Sequence, residues 1–132
     1  MKYIDKDKYK MVYPGKNVMI LVDINKFLNR FKKDDSDFYI DMNTTIPFSI
    51  GRIEKAVDYI QKYSEDNRWI NPKTNERMDY EVMFEPTLAS INDGKMGIID
   101  GRHRVVAQKK LGYTHTYIEV PKEQKELFND VI

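Results

Sequence analysis

The sequence predicts an α/β (α+β) fold, and three features of its 132 residues carry that expectation. Tyr80–Phe84 alternates in polarity and Met96–Ile99 is an apolar run, so both read as strands, the second a buried one, with Asn92-Asp93-Gly94-Lys95 as a turn before it. Ile24, Phe27, Leu28 and Phe31 recur at the spacing of a single helix face. After Asp100-Gly101 a helix is expected from Arg102 to Leu111, closed by Gly112 and followed by a strand through Thr116, Ile118 and Val120. With no repeat and no low-complexity tract, residues 1–132 are expected to form one domain.

The elements follow in chain order. Tyr9–Tyr13 and Asn17–Val22 flank Pro14-Gly15, and this predicts a hairpin. Asp23 is placed to cap the helix that starts at Ile24. Residues 32–47 are polar and acidic and read as a loop. Ser49 is the expected cap of a second helix with Ile50, Ile53, Ala56, Val57 and Ile60 on its apolar side. Ser64 to Asp79 reads as a long surface loop that Trp69 pins to the core. Pro86–Ile91 is a further extended run. Pro121 suits the first position of a last, charged helix.

Composition narrows the chemistry. The chain contains no cysteine, which excludes disulfides, thiol catalysis and sulfur-ligated metals, and its two histidines, His103 and His115, are too few for a His-rich metal site. The longest apolar run, Val18–Val22, is far short of the roughly 20 residues a membrane span needs. No signal-peptide pattern opens the sequence, and a cytoplasmic location without membrane association is expected. The net charge of +1 hides an asymmetry: residues 1–33 hold nine basic and three acidic side chains, residues 34–93 six and thirteen. The basic segment 1–33 keeps DNA open as a partner, although Lys26, Arg30, Lys32 and Lys33 also fit a solvated helix face.

The chemistry concentrates at one corner. A helix start carries about half a positive charge, and each cation there costs roughly 0.3–1 kcal/mol. Yet Arg102, His103 and Arg104 open this helix, and no acid follows until Glu119. Two readings fit. In one, Asp100 caps the helix while the arginines reach water or pair with acids from 34–93. In the other, backbone N–H groups, two guanidiniums and an imidazole gather on a phosphate. His103 would then bind as imidazolium, its pKa raised by the dianion; the alternative is a histidine packed against the sheet. Thr44, Thr45 and Ser49 can add hydroxyls or simply cap.

Ile99-Asp100-Gly101-Arg102-His103-Arg104, with Ala107 and Leu111-Gly112 behind it, resembles the signature of the ParB/sulfiredoxin superfamily. The likeness is close from about Glu85 to Val120 and looser over Asn17–Phe31 and Ser49–Tyr63. It implies a small mixed sheet with flanking helices, a phosphate-binding core over residues 80–120, and Gly101, Arg102, His103 and Arg104 as phosphate ligands. It also implies a nucleoside di- or triphosphate, with Mg²⁺, as cofactor, and a nucleotide or phosphorylated small molecule as partner. Sulfinic-acid repair is excluded, because sulfiredoxins place cysteine where Arg102 stands. Partition proteins have Gly-Glu-Arg-Arg here and a further DNA-binding module, for which the twelve residues after Val120 leave no room. ParB-like serine kinases carry an Asp-Gly-His-His-Arg type of motif in which the acid is catalytic, and Asp100 matches it. Their second acid is an early glutamate, for which Asp34, Asp35, Asp37 or Asp41 would have to substitute. The expectation is a nucleotide-dependent hydrolase or phosphotransferase; a non-catalytic nucleotide-sensing module, a small DNA-binding or nuclease protein, and a homodimer remain open.

Overall fold

A computed structural model describes all of residues 1–132. Alternating side chains build its four-stranded sheet. β1 (Asn17–Asp23) pairs antiparallel with β6 (His115–Pro121) along its whole length, from Asn17 opposite Pro121 to Asp23 opposite His115. β4 (Thr87–Asn92) runs parallel to β6 and antiparallel to β5 (Lys95–Asp100), so the sheet is mixed and its order is β1-β6-β4-β5. Three helices, α1 (Ile24–Asp34), α2 (Pro47–Tyr63) and α3 (Arg102–Lys110), flank it. A small second sheet pairs β2 (Arg68–Ile70) with β3 (Arg77–Glu81), and a 3-10 helix, Lys122–Val131, ends the chain. The fold is a small α+β arrangement, as the sequence predicts. No helix is long and apolar enough to cross a membrane.

The period-2 pattern of β1 and β6 decides what each face covers. Ile20, Val22, Ile118 and Val120 join Phe27, Leu28 and Phe31 of α1 and Phe128 of the last helix in one core cluster. Met19 and Tyr117, one residue out of phase, pack on a second cluster with Ile53 and Ile60 of α2 and Val106 and Ala107 of α3. Asp23 caps α1 as expected, its Oδ1 accepting from Lys26 N–H at 3.0 Å. Gly112 follows α3 with φ +85, the left-handed position that ends a helix.

Six expectations need correction. There is no hairpin around Pro14-Gly15. Glu119, fully buried on β6, accepts from Val12 N–H at 2.7 Å, Tyr13 N–H at 3.0 Å and Asn17 Nδ2 at 2.7 Å. The backbone donors that a first strand would use are thus committed to a carboxylate, and Tyr9 bridges in parallel to Phe84 instead. The Ser64–Asp79 loop holds β2 and the start of β3, stapled by Arg77, whose guanidinium donates to Lys62, Asp66 and Arg68 carbonyls. Trp69 does pack on the second core, stacked on Tyr80 at 5.5 Å, but β3 ends at Glu81, short of the expected Phe84. Ser49 is not the cap of α2: Ile46 holds that place and Pro47 is the first helical residue. β5 is an edge strand in which only Met96 is buried, and Ile99 is 69% exposed. Pro121 precedes the last helix as its cap, and that helix is 3-10 in type.

Candidate phosphate-binding cleft

The corner forms because Gly101 alone can make it. Gly101 caps α3 with φ +100, and a Cβ there would lie 2.6 Å from Arg104 Nη2 and 2.7 Å from Thr87 Oγ1. Asp100 does not cap α3; its Oδ2 accepts from Arg104 Nη2 at 3.3 Å. The first helical bond is Val105 N–H to the Gly101 carbonyl at 3.2 Å, so the amides of Arg102, His103 and Arg104 lie before it, as at any helix start.

A second helix begins beside this one. His103 Nε2 is 3.2 Å from Ser49 Oγ, which joins the first turns of α3 and α2. Neither first turn contains an acid, and neither helix has a side-chain cap. Between them opens a solvent-facing cleft of about 450 Å³ lined by Asp100, Gly101, Arg102 and His103, by Phe48 and Arg52 of α2, and by Asp35 and Phe38 beyond α1. Two positive helix ends and two guanidiniums therefore share one opening. Arg102 is held in place by its Nη1 bond to the Phe38 carbonyl at 2.7 Å, and Arg52 lies 4.9 Å from the centre of the Phe48 ring. Burial, then the charges of Arg102 and Arg52, push the His103 pKa below its ordinary value, which favours the neutral ring at pH 7.

The structure thus brings Asp100, Gly101, Arg102 and His103 together, and it takes Arg104 elsewhere. Arg104 pairs with Glu85 at 3.4 Å and Asp100 at 3.3 Å and lines a different cavity. Ser49 reaches the corner; Thr44 spends its hydroxyl on Ile46 N–H at 3.3 Å. Arg52 and the acid-free start of α2 at Pro47 were missed by sequence reasoning. Pro47 with no acid after it until Glu54 is the signal that could have found the last of these. Of the four candidate second acids, Asp35 lines the cleft. Asp34 is committed to structure, accepting Met96 N–H at 2.9 Å and Arg30 Nε at 3.1 Å, and the Met96 bond above all lowers its pKa. In the basic segment, Arg30 pairs with Asp130 at 2.7 Å and Lys26 Nζ donates to the Ile132 carbonyl at 3.1 Å.

No protein-family profile, curated protein or solved structure matches this chain.

Proposed function

We propose that the cleft binds a nucleotide by its phosphates, in the manner of a ParB-like domain, and that the protein is a nucleotide-dependent hydrolase or phosphotransferase of the cytoplasm. The observation that carries this reading is the meeting of two acid-free helix starts at one opening that also holds Arg52, Arg102 and His103. Backbone N–H groups at both starts would hold phosphate oxygens, and the two guanidiniums would stabilise charge on a transferring phosphoryl group. Neutral His103, oriented by Ser49, is able to donate one hydrogen bond to the phosphate or, once protonated, to add charge.

Mg²⁺ fits this donor set. No three His, Asp or Glu side chains gather to hold a metal alone, but Asp35 and Asp100 line the same cleft, and Mg²⁺ is commonly held by one or two carboxylates plus phosphate and water. When bound, the ion would neutralise phosphate charge; Asp35 and Asp100 would hold it or orient a nucleophile. A non-catalytic sensing module is the second reading, favoured by the Arg104 pair that occupies Asp100.

Thermal shift with nucleoside di- and triphosphates, with and without Mg²⁺, tests the binding. A nucleotide should raise the midpoint of the wild type and leave that of an Arg52→Ala/Arg102→Ala variant in place. Equal shifts in both, or none in either, defeat the reading. Turnover that disappears in Asp100→Asn while binding persists identifies the enzyme; binding without turnover in the wild type identifies the module.

A further inference from the structure

Arg104 leads to a second site. It turns from the cleft and lines a cavity of about 310 Å³ between α2, α3 and the chain entering β4, a size in the range of small-molecule pockets. The cavity has aromatic walls, with Tyr59 and Phe84 packed edge to face at 5.5 Å and Tyr9 against Phe84 at 6.0 Å. Such walls favour a flat, largely apolar occupant.

The polar groups define its chemistry. Gln108 is 5% exposed; its Nε2 donates to the Tyr9 hydroxyl at 3.0 Å, and its amide oxygen receives no hydrogen bond from the protein. Arg104 lies one helical turn earlier on the same face of α3, and its two ion contacts are long. Its Nε has no partner but is closed to solvent, so the donors within a ligand's reach are the Nη groups. One turn of helix therefore offers a donor beside an acceptor, over an apolar floor. Charge decides what can use the pair. Glu85 lines the cavity beside Arg104 and Asp100 contacts the same guanidinium from the cleft, so the arginine's charge is already matched and an anion gains little there.

We propose that this cavity binds a neutral planar molecule that presents a carbonyl beside an N–H, of the aromatic carboxamide class, with the carbonyl on Arg104 and the N–H on Gln108. This inference is independent of phosphate binding in the cleft.

Benzamide and benzoate are suitable probes, titrated into ¹⁵N-labelled full-length protein. Benzamide should give saturable shifts at the amides of Ala56, Phe84 and Gln108, leave those of Phe48 and Arg102 in place, and bind at least about tenfold tighter than benzoate. Ala56→Phe, which fills the cavity from α2, should abolish the shifts. Gln108→Met, which removes the acceptor and keeps the length of the side chain, should weaken them about tenfold and serves if the first variant misfolds. Absence of saturable shifts in the wild type, shifts centred on the cleft, or benzoate binding as tightly as benzamide overturns the proposal.

Discussion

Replacing Gly101 by alanine is a sharp probe of the corner, because two separate costs fall on one methyl group. The backbone sits at φ +100, and a left-handed conformation costs a residue with a Cβ about 1–2 kcal/mol. The methyl would also lie 2.7 Å from Thr87 Oγ1, on a side chain 3% exposed whose hydroxyl donates to the Gly101 carbonyl at 3.2 Å. Arg104 can swing aside, but Thr87 cannot move far, so this bond is lost at about 1 kcal/mol and some overpacking is added. Together the loss is about 2–4 kcal/mol, or a fall in Tm on the order of 10 °C for a domain of this size. Gly112→Ala is the control. Its φ is +85, yet nothing lies within 4 Å of the added carbon, so it bears the backbone cost alone. Paired urea melts measure the difference. If Gly101→Ala destabilises no more than Gly112→Ala, the close approach of Arg104 and Thr87 does not shape the corner.

Two other outcomes follow from buried polar groups. The His103 pKa lies below its ordinary 6.5 in the folded chain, so the unfolded state binds the proton more readily and stability falls as pH drops from about 6.5 toward the folded value. An NMR titration should place its midpoint below 6.5, and a bound phosphate should raise it; a midpoint above 6.5 in the free protein contradicts the burial argument. Glu119→Gln keeps shape but leaves one oxygen for three donors and adds two N–H groups, at a cost of about 1–3 kcal/mol. Hydrogen exchange at Val12 and Tyr13 should accelerate more than at Ile118; uniform acceleration would show that the carboxylate does not hold this segment.

What was legible in the sequence was local. The face of α1, the turn at Asn92–Lys95, the glycine before α3 and the left-handed Gly112 each depend on neighbours a few residues away, and each lies where periodicity and turn chemistry put it. The cap positions at Ser49 and Pro121 slipped by a few residues, while the larger failures involve partners far along the chain. Glu119 lies 107 residues from Val12, and nothing near Pro14-Gly15 reveals that its strand donors are taken. The site divides in the same way. Asp100 to His103 could be read as a motif, whereas Arg52 enters the cleft only because α2 packs beside α3, and Asp35 because the end of α1 packs on β5. Arg104 belongs to the motif in sequence, but the turn of the helix carries it to another cavity.

The pairing of β1 with β6 also governs the order in which the protein can be made. Asn17 finds its partner in Pro121, and Lys2 N–H reaches Thr114 Oγ1 across 112 positions. An emerging chain therefore carries β1 with an edge of unpaired backbone N–H and C=O groups until β6 is made. Such non-local closure slows folding and exposes the unfinished sheet to aggregation. The cleft matures late for the same reason, since α3 rests on a sheet whose parallel β4–β6 contact forms only when the last strand arrives.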